Sequence, residues 1–336
     1  MLKFYLPIVQ NENYPYSFRV RAKIPSENFD NSMIINDLKN CNSNDTVVLA
    51  KKHTLEDVNY LKSKNIDYIF DVSDDKWELF GEQWNYTCKY ARHITTTCQR
   101  LKDKILDYTG IQDVTVIPDP TERPEEEAKF IVSNNMKLVY YGSHGNMRQI
   151  DFISLNKRLQ RQRPDTQLKV ITNKPEGIPK VRKHKMFRRG MSRAEQNALR
   201  KEMQSFFDYN IVDWTYGRQG KYVRESDLVI LPINSNDYMA QSKGNNRPVD
   251  ALRLGRFVIT TKGCPSYESL KDYIWIGSEV STSIENDICS GFQWAIENQE
   301  EVLSKIKAGQ SYIRHNYAPE IIGNKWKELY ENISSH

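Results

Sequence analysis

VTVIPDPTERPEEE, residues 114–127, divides the chain. It opens with a short β-branched apolar run, which Pro118 stops. The ten residues that follow hold three prolines and four glutamates. Proline restricts its neighbour and the glutamates have nothing to bury, so this stretch is a linker. Upstream, apolar runs at 2–9, 46–50, 66–70 and 114–117 read as strands, with helical faces between them at Leu55, Val58, Leu61 and at Leu101, Ile105, Leu106. Downstream the pattern restarts. Residues 136–141, 168–172, 227–231 and 257–260 read as strands, and 147–159 and 193–207 as helices, the second with capping-box spacing at Ser192 and Glu195. Residues 284–306 and 312–330 read as closing helices.

Short strands separated by helices predict an α/β chain with mainly parallel sheets. The expectation is two Rossmann-like domains facing across a cleft: residues 1–120, a linker over 121–135, a second domain over 136–315, and a helix at 316–336 crossing back to the first domain. At 336 residues and 39.4 kDa one ordinary core is too small an account, and 39% apolar content can fill two. With 27% charged and 11% aromatic residues, disordered, collagen-like and low-complexity classes are excluded.

The N-terminal stretch has only five apolar residues around Pro7, too few for a signal-peptide core, and no run reaches the length of a spanning helix. Five scattered cysteines with no CxxC fit a reducing compartment, so a cytoplasmic location is expected.

The net charge is +5, and residues 180–193 alone hold seven basic side chains and no acidic one, so the rest of the chain is slightly acidic. Such a patch attracts phosphate or an anionic surface, and a polyanion contact is expected through it. A solvated loop is the ordinary alternative. Phe187 is its one aromatic residue, a poor stacking platform for single strands.

Two loops carry chemical content. Gly142, Ser143, His144, Gly145 and Asn146 join a strand to a helix, where glycines admit a close ligand and free helix N–H groups meet an anion. A tight turn explains two glycines equally well, and the GxGxxG fingerprint is absent. The second loop is KGNNRPVDALRLG, residues 243–255. Pro248 suits the first helical position and Gly255 the position past the end. Lys243 and Arg247 suit a diphosphate and Asp250 the hydroxyls of a ribose, although an aspartate in the first turn also simply complements the helix dipole. Trp214 and Tyr216 border a base or belong to the core. Asp71, Asp74 and Asp75 end a strand, as acid–base groups or as turn formers. Six histidines form neither HxH nor HExxH, so no metal site is expected beyond a divalent ion carried by a diphosphate.

Together these segments resemble the GT-B glycosyltransferases, close to the retaining group that uses nucleotide-activated sugars. Residues 92–102 followed by Val114 to Asp119 are similar to the family's exit from the acceptor-side domain with its "IPN" type linker. Glu225 to Pro232 resembles its "aDvvllP" strand, and Asn246 to Gly255 with Phe257, Val258 and Ile259 its donor-side helix and strand. The family's paired glutamates stand seven residues apart; here Asp250 takes the second, ribose-binding position and Ser242 the first. The resemblance implies transfer of a sugar from a nucleoside diphosphate sugar, with retention, to a glycan, lipid-linked or other hydroxyl acceptor. That co-substrate would be held by Gly142, Ser143, His144, Gly145, Asn146, Lys243, Asn246, Arg247 and Asp250, with no prosthetic group. Lys243 and Arg247 would steady the departing diphosphate, and Asp74 or Asp75 would act as base. Ser17, Arg19 and Arg21 fall where the family has an acceptor-side loop. Competing readings are a glycosyltransferase acting on a modified DNA base, a sugar-nucleotide epimerase, and a non-catalytic nucleic-acid-binding protein.

Overall fold

The computed structural model describes residues 1–7, 16–50, 53–143, 150–173, 192–236, 241–278 and 283–335, and the statements below concern these. Two six-stranded sheets organise them. The first holds β1 (Leu2–Tyr5), β2 (Ser32–Ile35), β3 (Thr46–Leu49), β4 (Asp67–Val72), β5 (His93–Thr96) and β6 (Val114–Val116), in the order β2-β1-β3-β4-β5-β6. The second holds β7 (Lys137–Tyr141), β8 (Gln167–Thr172), β9 (Ile211–Asp213), β10 (Leu228–Leu231), β11 (Phe257–Thr260) and β12 (Trp275–Ile276), in the order β12-β11-β10-β7-β8-β9. Every pairing is parallel. Helices cover both faces of such sheets, which is why TVVL, LVIL and FVIT are buried at every position. These are two Rossmann-like domains.

Several boundaries differ from the sequence reading. The strand expected over 2–9 ends at Tyr5, two residues before Pro7. The helix expected from 147 is described from Phe152, where the Asp151 side chain accepts from the Ser154 amide at 3.0 Å. One helix was expected over 284–306; the chain instead breaks at Asn298 (φ −123°, ψ 48°) into Ile284–Glu297 and Gln299–Asn316. The helix expected over 312–330 breaks likewise at Tyr317, since Pro319 starts a new helix, Pro319–Ser334. β2, β5, β9 and β12 were not read as strands from sequence. β2, β9 and β12 are short edge strands with half-exposed positions, and β5, although internal and buried, reads HITT with one aliphatic residue in four, so all four lack the continuous apolar run that marks most central parallel strands.

Helix Pro319–Ser334 lies against the first sheet. Its Ile322, Trp326 and Leu329 pack with Leu2, Phe4, Val48 and Ile69, and Trp326 meets Phe4 edge-on at 5.3 Å. The linker crosses the second domain at Gly255, whose φ of +71° ends helix Asn246–Arg253; a Cβ there would collide with the Glu127 backbone. Pro248 stands third in that helix, not first, a position where an N–H also lacks an intrahelical partner. Among the described residues no helix is long and apolar enough to cross a membrane.

Candidate functional site

The strands of both sheets point their carboxyl ends at one cleft of about 730 Å³. Ligands bind at such ends because loops there are free to carry polar groups while the sheets stay rigid. The first domain contributes Tyr16 and Arg19 from a helical arm over 16–27, and Asp74 from the loop after β4. The linker contributes Asp119. The second contributes Gly142 and Ser143 after β7, Tyr216 after β9, and Lys243, Asn246, Arg247 and Asp250 around the start of helix Asn246–Arg253.

Arg247 is the centre of the second domain's wall. Its backbone carbonyl accepts from the Tyr141 hydroxyl at 2.5 Å and its Nη1 donates to the Tyr141 carbonyl at 3.4 Å. The phenols of Tyr140 and Tyr267 also surround the guanidinium, and among the described residues no carboxylate pairs with it. Gly142 lies directly beneath. A Cβ there would stand 2.6 Å from the Tyr140 hydroxyl and 3.0 Å from Arg247 Nη1, so only glycine lets the main chain pass this close to the cation. A cation, bare main chain and a helix N-terminus in one wall make an anion site.

Asp250 lies deeper, 3% exposed, and its Oδ1 accepts from the Thr121 hydroxyl of the linker at 3.1 Å. Burial, then the nearby Glu122, push its carboxyl up to about 7, against the pull of Arg123 and the Thr121 hydrogen bond. The linker thus grips both walls. Glu122 receives Arg19 Nε at 2.5 Å and Nη2 at 3.1 Å, while the Tyr216 ring sits 3.6 Å from the Arg123 guanidinium and 4.9 Å from that of Arg19. Tyr216 also donates to the Glu122 carbonyl at 3.0 Å.

Across the cleft the charge is acidic. Arg21, 1% exposed, spends Nε and Nη2 on Asp71 at 3.0 and 2.5 Å and Nη1 on the Ile117 carbonyl at 2.5 Å, which makes it an internal strut and not an open contact. Its Nη1 reaches Asp119 only at 3.4 Å. Burial first, with Asp71 and Asp74 adding to it, pushes the Asp119 carboxyl up to about 6. Asp74 faces the cleft; Asp75 does not. Asp75 is 3% exposed, beside Lys104 at 3.5 Å and under the first turn of helix Trp77–Tyr90. Ser242 is buried as well, with its hydroxyl unpaired.

Of the residues singled out from sequence, Gly142, Ser143, Lys243, Asn246, Arg247, Asp250 and Asp74 meet in this cleft. His144, Gly145 and Asn146 lie outside the described residues, as do residues 180–191 of the basic stretch. Asp119, Thr121, Glu122 and Tyr16 were missed. Asp119 carried a signal, a carboxylate where the resembling linker has an amide, but the others become site residues only through the fold. Among the described residues no group of three or more His, Cys, Asp or Glu side chains is placed to hold a metal ion.

No protein-family model matches the sequence, and no curated protein matches it. Solved structures do match, and they share the GT-B fold. HepE from Anabaena, solved with UDP and glucose, has a TM-score of 0.67 at 10% identity over 98% of this chain and 99% of its own. S. aureus TarM has a TM-score of 0.62 at 10% identity, over 86% of this chain and 55% of its own. The pneumococcal O-GlcNAc transferase GtfA, in complex with UDP and GlcNAc, has a TM-score of 0.60 at 12% identity, over 94% of this chain and 59% of its own. The chain therefore spans little more than half the length of TarM and GtfA and nearly all of HepE. The chain has the GT-B fold.

Proposed function

We propose that the protein is a glycosyltransferase that moves a sugar from a nucleoside diphosphate sugar to a hydroxyl acceptor. The observation that carries this is Arg247: a cation with no carboxylate partner among the described residues, over Gly142, at a helix N-terminus in an interdomain cleft. A diphosphate supplies the charge this wall lacks, and as leaving group it gains charge in the transition state, which Arg247 and Lys243 stabilise. Asp250 takes the ribose hydroxyls. The UDP in HepE and GtfA supports a search that begins with uridine donors. The acidic far wall then receives the acceptor, a glycan or lipid-linked hydroxyl, and retention at the anomeric carbon follows the resemblance.

Calorimetry with UDP, GDP, ADP and CDP tests the donor side. Binding of at least one, lost in Arg247→Ala and weakened in Asp250→Ala, is the expected result; no binding by the intact protein overturns the proposal. Proton NMR of the product gives the anomer. An acceptor on modified DNA would require duplex binding that weakens steeply with salt.

A further inference from the structure

We propose that Gln219, held in one orientation by Trp214, selects the base of the donor: a base with a ring carbonyl, uracil or guanine, over one that carries an amino group at the same position, cytosine or adenine. This rests on the glycosyltransferase reading and deepens it by naming the class of nucleotide.

The place of the base follows from the contacts proposed for the rest of the nucleotide. With a diphosphate against Arg247 and a ribose on Asp250, the base extends toward the loop after β9, where Tyr216 lies within the field of the Asp250 carboxylate. Trp214, Tyr216 and Gln219 all line the cleft there. The Tyr216 ring already carries the Arg123 and Arg19 guanidiniums. Trp214 and Gln219 therefore remain to meet a base. Trp214 is half-buried and packs against the core of the second sheet.

The indole N–H of Trp214 donates to Gln219 Oε1 at 2.7 Å. An indole nitrogen is a donor only, so it decides which way the amide points. Turned round, the amide would set its NH2 against the indole N–H. The oxygen is thus spent on the protein and the NH2 remains. Gln219 is 9% exposed, and among the described residues its Nε2 neither donates to a protein group nor is sealed from solvent, so it opens onto the cleft. The backbone fixes both partners. The Trp214 amide donates to the Thr172 carbonyl at 2.9 Å, the Gln219 amide to the Thr215 carbonyl at 2.9 Å, and the Thr215 hydroxyl caps helix Tyr216–Glu225 by accepting from the Arg218 amide at 3.2 Å.

A fixed donor in a half-buried wall requires an acceptor on the ligand. Uracil O4 and guanine O6 are acceptors, whereas cytosine and adenine place an NH2 at the equivalent atom. Two donors brought face to face leave both unpaired, which costs more than one lost hydrogen bond.

Calorimetry on the intact protein ranks UDP, GDP, CDP and ADP. UDP or GDP should bind at least about tenfold more tightly than CDP and ADP. Gln219→Glu keeps an oxygen for Trp214 and exchanges the NH2 for a second oxygen, so it should weaken the favoured nucleotide about tenfold or more and move the ranking toward CDP and ADP. Inorganic pyrophosphate, which has no base, should bind this variant within about threefold of the intact protein, since it probes only the anion wall. Trp214→Phe removes the N–H that orients the amide; CDP and ADP should then gain on UDP and GDP, whereas a packing defect alone would weaken all four alike. CDP or ADP bound as tightly as UDP and GDP by the intact protein overturns the proposal. A ranking unchanged in Gln219→Glu, or in Trp214→Phe where the first variant does not fold, overturns it as well, and in each of these cases the donor site stands. If the intact protein binds none of the four nucleotides, the donor site falls and the assignment of Gln219 with it.

Discussion

The two sheets solve the same topological problem in opposite ways. In each, one strand is flanked by connections that leave in opposite directions, β1 between β2 and β3 in the first and β7 between β8 and β10 in the second. Such a switch point opens a crevice beyond the strand's carboxyl end. The first domain fills its crevice with its own charges: the arm after β1 buries Arg21 against Asp71. The second leaves its crevice unfilled, with Gly142 and Ser143 after β7 and Arg247 exposed to the cleft. One fold therefore yields a strut on one side and a binding wall on the other, and the difference lies in whether the cation has its anion inside the chain.

Breaking the strut should produce the largest effect. Removing one partner of a buried ion pair strands the other, at a cost of about 3 to 5 kcal/mol. Arg21→Leu should lower the urea midpoint of the first domain accordingly, and Arg21→Leu with Asp71→Leu should recover part of the loss. Nucleotide affinity, measured on whatever remains folded, should hardly change. On the other wall the pattern inverts. Arg247→Ala should weaken nucleoside diphosphate binding by roughly 2 to 5 kcal/mol while the unfolding midpoint shifts little. Two variants that both lose stability and both keep affinity would erase the distinction.

How much of this contrast can be read from sequence depends on how local its causes are. Central strands such as 228–231 and 257–260 announce themselves, because burial on both faces demands consecutive apolar residues. The edge strands β2, β9 and β12 do not. Lys243, Arg247 and Asp250 were legible because they share one short segment with a helix start. Arg19 and Arg21, two residues apart, look alike in sequence, yet Arg19 lines the cleft with Glu122 and Arg21 is sealed beneath Trp326. Their partners lie 50 to 103 positions away, in segments that only the folded chain brings together. Asp74 and Asp75 divide in the same manner, one toward the cleft and one toward Lys104.

A smaller effect sharpens the reason the second crevice stays open. Gly142→Ala adds one methyl between the Tyr140 hydroxyl and Arg247 Nη1, at 2.6 and 3.0 Å. Overpacking of this kind costs about 1 to 3 kcal/mol. The flexible Arg247 side chain yields more readily than the strand, so the loss should appear mainly as weaker nucleotide binding, on the order of tenfold, with a modest fall in melting temperature.

The smallest effect is a slope, bounded at about 1.4 kcal/mol per pH unit for one group. Asp71 has a guanidinium in contact; Asp250 has a threonine hydroxyl, and its carboxyl lies at about 7. An unfolded aspartate titrates near 3.9, or about 4. Between about pH 4 and 7 the folded chain therefore holds a proton that the unfolded chain has lost, and stability falls as pH rises through this window and levels off above it. Asp119, at about 6, adds the same sign below pH 6, whereas burial holds the His53 and His93 imidazoles below their ordinary value and adds the opposite sign, so the share of Asp250 is read from the difference between the intact protein and its variant. Asp250→Asn should remove its share of the slope across the whole of about pH 4 to 7 in urea titrations and leave, below pH 6, the part that belongs to Asp119. A ribose that donates hydrogen bonds to this carboxyl favours its ionised form, so nucleotide binding near pH 6.5 should release a fraction of a proton. Calorimetry in buffers of different ionisation enthalpy reads that fraction directly. It should vanish at pH 8.5, where Asp250 is already ionised, and in Asp250→Asn at every pH; proton release that survives in the variant would move the titrating group elsewhere in the cleft.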